Sequence, residues 1–370
     1  MRIVLSLILS LALQSLPAAD MPTFKLPPGF QVEELATGLP SARSLAWGER
    51  GTLFVGSRRA GRVYAVRDAL GAAPRVLTIA EGLDMPNGVA FRDAALYVAE
   101  PQRLLRFPGI EARLDSPGEP EVVSELPYRG RLHSWRYIAF GPDGRLYLSL
   151  GAPCNVCPVD DETGVIVSLR ADGSDRRVEA RGVRNSVGFT WHPVTGELWF
   201  TDNGRDLLGD ERPPCELNRL RERGLDFGFP YCHGGDIPDP EFGDLGNCAD
   251  AEAPVQKLAP HSAPLGLAFY TGEQFPAEYR GALFIAEHGS WNRSKAAGKT
   301  GYRVSVVWLD GNRAVGYEPF MTGFLDGQKT LGRPVDLLLA PDGSLLLSDD
   351  HRGVIYRISW RGQAAGGEAR

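Results

Sequence analysis

His133, Arg184-Asn185 and Arg333 are the residues whose types bear most directly on chemistry, and each stands just ahead of a short apolar segment. A histidine exchanges protons near neutral pH, and an arginine pairs with a carboxylate through its planar fork. Asn87, His261-Ser262 and Gly332 hold comparable positions. A second set follows aromatic-apolar segments: Glu100, Cys154-Asn155, Asp202-Asn203-Gly204-Arg205, Glu287-His288 and Asp349-Asp350-His351. Cations gathered at one mouth suit a ligand with several carboxylates, and a histidine among them suits proton abstraction. Each also has a plainer reading. Arg184 and Arg333 can be ion-pair partners of neighbouring acids, and His133 can be a structural histidine. His192, inside a turn, reads as structural.

The segments beside these residues repeat. A small apolar strand, a turn rich in Gly, Pro and Asp, and an aromatic-apolar strand form a unit that returns through the chain. It reads Ser44-Leu45-Ala46-Trp47 with Leu53-Phe54-Val55-Gly56, then Gly88-Val89-Ala90-Phe91 with Leu96-Tyr97-Val98-Ala99. It returns as Tyr137-Ile138-Ala139-Phe140, the turn Gly141-Pro142-Asp143-Gly144 and Leu146-Tyr147-Leu148-Ser149, and then as Val187-Gly188-Phe189-Thr190 with Leu198-Trp199-Phe200-Thr201. Leu265 to Phe269 with Leu283 to Ala286, and Val335 to Leu339 with Leu345 to Ser348, complete the series. Short strands, turn signals and a repeat of blade length predict an all-β, six-bladed β-propeller in a single domain over residues 20–370. The strand near Phe30 is expected to close the ring beside the C-terminal strands. In a propeller the chain crosses the central face just before each innermost strand and just after the second, so both sets of polar residues converge there.

The chain ends bear on the compartment. Met1-Arg2, the apolar run from Ile3 to Leu13 and the small-residue exit at Pro17-Ala18-Ala19 have the layout of a secretory signal peptide, residues 1–19. The apolar run is too short to span a bilayer, and no other stretch approaches a membrane span. A periplasmic or secreted protein is therefore expected. The net charge of −6 gives no reason to expect nucleic acid. Five cysteines in an exported chain allow two disulfides and one odd thiol. Cys154 with Cys157 is the closest pair, Cys232 with Cys248 the next, and Cys215 the leftover. Pro158 stands where haem attachment through C-x-x-C requires histidine.

On these residues the chain resembles the soluble quinoprotein sugar dehydrogenases, especially the L-sorbosone/aldose branch. The resemblance rests on His133 ahead of the Gly141-Pro142-Asp143-Gly144 turn and on Arg184-Asn185 leading into Gly188-Phe189. It rests also on Asp202-Asn203-Gly204 with Glu216-Leu217-Asn218, and on Arg333 ahead of Asp336. It covers essentially the whole mature chain and implies a six-bladed propeller that binds pyrroloquinoline quinone and Ca2+ and oxidises a sugar-like alcohol or aldehyde. By the same resemblance His133 is the general base and hydride passes to the C5 carbonyl of the quinone. Arg184 stabilises negative charge as it develops, and Arg184, Asn185, Arg333 and the mouth residue Asn87 contact the cofactor. The carbonyls of Gly204 and Arg205 hold calcium, which accepts mixed oxygen ligands, and Glu216 with the Phe227 carbonyl forms a second calcium site. Electrons leave to an external acceptor, a cytochrome or a quinone, because the chain carries no haem motif.

The sequence also departs from that pattern. Glucose-active members carry an aspartate that orients the base, where this chain reads Ala152, with Asn155 nearby. The family's blade-five lysine is replaced by nothing closer than Arg293, and Trp291 is placed to stack on a flat cofactor. Arg205 stands where the family has proline. Two other readings remain open. A calcium-dependent lactonase of the gluconolactonase type would draw its metal ligands from Glu100, Asn185, Asp202 and Asp349. A non-catalytic extracellular binding propeller would bind no cofactor. Specificity is expected from the loops 206–214 and 234–253.

Overall fold

A computed structural model describes residues 22–362; the expected signal peptide lies outside them. Six four-stranded antiparallel sheets follow one another along the chain as the blades of a propeller. Blade one runs from Ala42–Trp47 to Arg75–Ala80, blade two from Gly88–Arg92 to Glu121–Glu125, and blade three from Ile138–Phe140 to Arg177–Ala180. Blade four begins at Phe189–Trp191 and blade five at Pro264–Phe269. Blade six contains Pro334–Leu339, Leu345–Asp349 and Val354–Trp360, and its outer strand is the N-terminal Phe30–Thr37. That strand pairs antiparallel with Val354–Trp360, Phe30 opposite Trp360, through a bulge between Glu34 and Ala36. The ring is thus closed by hydrogen bonds between the two ends of the domain, as the strand near Phe30 led us to expect.

The second strand of every blade explains the sequence pattern. Leu53–Ser57, Ala95–Ala99, Leu146–Leu150, Leu198–Asp202, Leu283–Glu287 and Leu345–Asp349 are buried at every position. Each lies inside its sheet with a neighbouring blade on either face, so it reads as a continuous apolar run rather than an alternating one. The packing is between blades: Phe54 and Val63 of blade one meet Leu96, Val98 and Phe107 of blade two in one cluster. Each large side chain so buried contributes about 1.5–3 kcal/mol. The outermost strands are largely open to solvent, as in Arg75–Ala80 and Glu121–Glu125. Near the axis the backbones approach closely. A Cβ on Gly188 of blade four would stand 2.2 Å from the Leu265 carbonyl oxygen of blade five, which excludes any side chain there.

Both anticipated disulfides form, Cys154–Cys157 and Cys232–Cys248, and Cys215 is a buried free thiol. Among the described residues no helix is long and apolar enough to cross a membrane.

Candidate active site

The segments that cross the central face line a cavity of about 400 Å3. His133 and Trp135 enter it ahead of blade three, Arg184 and Asn185 ahead of blade four, His261 ahead of blade five and Arg333 ahead of blade six. From the loops that follow second strands come Arg58 and Arg59, Asn203, Gly204 and Asp206, and His288, Gly289 and Trp291. Arg43, ahead of blade one, completes the ring. Trp291 is at the rim and 75% exposed.

His133 is buried, with a left-handed backbone (φ 52°). Its Nδ1 lies 2.8 Å from the carbonyl oxygen of Ala152. A carbonyl only accepts, so Nδ1 carries the proton and Nε2 is left with a free lone pair. The group that orients His133, which the sequence left open, is therefore the main-chain oxygen of Ala152. Burial, and then the charge of Arg184, push the imidazole down to about 3 against the opposing pull of the Ala152 carbonyl, so it is neutral near pH 7. Gly151 permits this contact. A Cβ there would stand 2.7 Å from both Cβ and the carbonyl oxygen of His133. Gly151→Ala is expected to cost about 1–3 kcal/mol through this overlap. Thermal unfolding measures the loss, and an unchanged midpoint would show that the contact relaxes freely.

Arg184 is the most heavily engaged cation in the cavity. Its Nε donates to the Asn155 carbonyl (2.8 Å) and its Nη2 to Asn155 Oδ1 (2.9 Å) and Asp206 (3.2 Å). Its Nη1 donates to the carbonyls of Asn203 and Gly204, each at 3.0 Å. Its backbone is fixed by Asp202, whose carboxylate accepts from the amides of Arg184 (2.8 Å) and Asn185 (2.6 Å). Asp349 does the same in blade six, accepting from the amide of Arg333 at 3.0 Å. These two aspartates end the second strands of their blades, so one repeat position supplies an anchor for two cavity arginines. The Arg333 side chain donates to the carbonyls of His288 and Gly289. Across the cavity Arg43 pairs with Asp350 (3.0 Å), which in turn binds His288 Nε2 at 2.9 Å. Burial lowers His288 to about 4 despite Asp350.

Two residues expected at the cofactor do not line the cavity. Asn87 is buried beneath it, accepting from Arg43 Nε (2.8 Å) and donating to the Arg136 carbonyl (2.6 Å). Arg293 turns outward to the Gly298 and Asp210 carbonyls and to Glu211, and so ties the blade-five loop to the loop 206–214. The Arg205 side chain is also turned away, paired with Asp239 and Glu241. Against burial, which acts the other way, His233 and Arg205 hold Asp239 down to about 2.

Below Arg184, Asp202 and Glu216 face each other as cross-strand partners. With Phe227 they border a separate void of about 10 Å3. Burial and then the Glu216 charge raise Asp202 to about 7, and burial raises Glu216. The lactonase metal set is not assembled, because Glu100, Asp202 and Asp349 do not line the cavity, where Asp206 is the sole carboxylate among the described residues. Glu100 instead binds the Asp84 amide and Arg103.

Fold and cavity together define a propeller with a buried, histidine-bearing cationic pocket on its axis. The sequence profile of the family Glucose / Sorbosone dehydrogenase matches residues 118–357, and the chain belongs to that family. It is 34% identical to an uncharacterized protein of Borreliella burgdorferi over 91% of this chain and 90% of that one. It is 23% identical to the pyrroloquinoline quinone-dependent pyranose dehydrogenase of Coprinopsis cinerea, covering 93% of this chain and 56% of that protein. Among solved structures, the pyrroloquinoline quinone domain of the Coprinopsis pyranose dehydrogenase superposes with a TM-score of 0.75 at 20% identity, covering 93% of this chain and 99% of that one. The aldose sugar dehydrogenase of Streptomyces coelicolor superposes at 0.65 with 22% identity, covering 90% and 99%. At these identities the superpositions establish the fold.

Proposed function

We propose that this chain is an exported, pyrroloquinoline quinone-dependent dehydrogenase of a sugar or related alcohol or aldehyde, working in the periplasm or outside the cell. The observation that carries this reading is the charge of the cavity. Of its five arginines, Arg184 is paired with Asp206 and Arg43 with Asp350. Arg58, Arg59 and Arg333 have no carboxylate within ion-pair distance among the described residues, and Arg58 Nε is buried without a hydrogen-bond partner. Burial and the neighbouring Arg43 charge lower Arg58 to about 10. Such a site favours a polyanion, and the quinone carries several carboxylates. Trp135 beneath the Arg58 guanidinium (4.0 Å) and Trp291 at the rim add flat surfaces. The residues fit the cofactor. The names of the Coprinopsis and Streptomyces relatives support the same assignment, and the two disulfides suit an oxidising compartment.

Calcium fits one of its two expected positions. Near Gly204 and Arg205 the Gly204 carbonyl already accepts from the Arg184 guanidinium, whose positive charge opposes a calcium ion on the same oxygen. Asp202 and Glu216 place hard oxygen donors, engaged so far with backbone amides and Asn218, beside a small void that Phe227, Arg184 and His233 also border, and their like charges are ones a cation would neutralise. Adding calcium at about a hundred times its Kd should stabilise the protein by about 2.7 kcal/mol. Glu216→Gln should abolish that gain in calcium-dependent melting, and a gain of equal size in the variant would remove Glu216 as a ligand.

When bound, the quinone supplies a two-electron acceptor for hydride from the substrate carbon. His133 Nε2 takes the hydroxyl proton, with Nδ1–H held by Ala152. The positive Arg184 favours charge developing on the substrate oxygen and disfavours a lasting imidazolium, which promotes release of the proton afterwards. Electrons then pass to a separate cytochrome or quinone.

Titration of the apoprotein with pyrroloquinoline quinone, followed by dye reduction with a panel of sugars, tests the reading. Stoichiometric binding with sugar-dependent dye reduction is expected. A protein that binds no quinone is not this enzyme.

A further inference from the structure

The segment 151–157 touches both members of the proposed catalytic pair. Its Ala152 carbonyl orients His133, and Ala152 N donates to the Arg184 carbonyl at 2.8 Å. Three residues on, Asn155 meets the Arg184 guanidinium with its main-chain oxygen and its Oδ1. The same Oδ1 accepts from the Asp206 amide (2.8 Å), and Asn155 Nδ2 donates to the Asp206 carbonyl (3.1 Å). Asn155 therefore fixes both the arginine and the backbone of the arginine's carboxylate partner. Yet residues 153–158 make no backbone-to-backbone hydrogen bond, and they belong to no strand. What closes this stretch on itself is the Cys154–Cys157 disulfide, which brackets Asn155. Both cysteines are partly exposed, whereas Cys232 of the other bridge is buried.

We infer that Asn155 is a positioning residue for Arg184 and that the Cys154–Cys157 bridge is what holds it there, so that affinity for the polycarboxylate cofactor depends on the bridge being oxidised. The inference rests on the cofactor reading above and goes beyond it, since it assigns the bridge a task at the site. A charge-assisted hydrogen bond at a buried guanidinium is a strong one, and an unstapled four-residue loop must be ordered anew each time the bond forms. Loss of either bridge or side chain should therefore weaken quinone binding about tenfold. Because both act through the same contact, their effects should not add.

The coupling is also reciprocal. If the oxidised bridge favours the quinone tenfold, the bound quinone must favour the oxidised bridge tenfold, about 30 mV for this two-electron couple. Reduction by dithiothreitol delivers two electrons and two protons to the Sγ–Sγ bond and leaves two thiols and a cyclic disulfide.

The experiment compares wild type, Asn155→Ala, the double variant Cys154→Ala/Cys157→Ala and the triple variant. Quinone titration is expected to give about tenfold weaker binding in all three variants, with the triple no weaker than the double. In wild type the quinone should protect Cys154–Cys157 from dithiothreitol and leave Cys232–Cys248 unaffected. Without cofactor, the Arg184 Nε–H resonance should be sharp in wild type and broadened by exchange in Asn155→Ala and in the double variant. Equal quinone affinity in all four proteins, additive losses, or an Arg184 resonance unchanged in the variants would each overturn the inference. A wild type that binds no quinone, with the Arg184 resonance sharp in it and broadened in the variants, would overturn the cofactor assignment and keep Asn155 as the positioning group. Asn155→Ala retains the bridge, so a folding defect in the cysteine variants does not remove the test.

Discussion

His133→Gln should lower kcat/KM about a thousandfold while leaving quinone affinity within a factor of about three. Glutamine keeps a polar side chain of similar reach but has no nitrogen lone pair to take a proton, so the variant removes the base and little else. The imidazole is set up for the proposed base role because the Ala152 carbonyl fixes the proton on Nδ1. Its pH behaviour follows from the same geometry. The imidazole is held down to about 3 from an ordinary 6.5 by burial and by Arg184. Above that depressed value it is neutral and competent, and below it protonated and inactive. The rate should therefore not fall as pH drops through 6.5, and any acid limb belonging to His133 lies lower. The sign for stability is the same. Burying a neutral histidine contributes stability that is present above 6.5 and lost as pH falls toward the folded value. Dye-reduction kinetics across pH, with a quinone titration of each protein, measure both effects. Retained turnover in His133→Gln would remove the residue from the base role.

Much of this site was legible because a propeller converts sequence repeats into geometry. Once Leu53–Ser57 and its five counterparts are recognised as second strands, the residues flanking them must come to the axis. That rule found His133, Arg184 and Arg333. Applied to blade one it also yields Arg43, just ahead of Ser44-Leu45, and Arg58-Arg59, just after the second strand, and these cations were passed over in the sequence although the signal was present. The same rule brings Asn87 to the axis but cannot tell that Arg43 would occupy its amide from above. Other features leave no trace in residue identity. Ala152 orients His133 through its main-chain oxygen, which every amino acid has. The outward turn of Arg293 depends on Asp210 and Glu211, more than eighty residues earlier and on another blade's loop. Closure by Phe30–Thr37 was readable because six blades of four strands leave one outer strand to be supplied from the N-terminal side.

Arg184→Met should weaken quinone binding about a hundredfold. The loss comes from the missing positive charge and from the groups Arg184 holds in place, which the incoming quinone must then order. Here those groups are Asp206, the Asn155 oxygens and the carbonyls of Asn203 and Gly204, all of which Arg184 satisfies. Arg184→Lys separates the two things the side chain does. Lysine keeps the charge but lacks the fork that reaches five acceptors at once, so it should recover only part of the affinity. The charge alone acts on His133, and the two variants should therefore part company in pH dependence. In Arg184→Met the imidazole loses the repulsion that helps depress it, and its acid limb should move up toward 6.5. In Arg184→Lys the limb should stay near its wild-type place. Quinone titration and pH–rate profiles of the two variants measure these effects side by side. If both variants shifted the limb equally, the guanidinium geometry rather than its charge would set the protonation of the base. If neither lost affinity, the polyanion would be held by Arg43, Arg58 and Arg333 on the opposite side of the cavity.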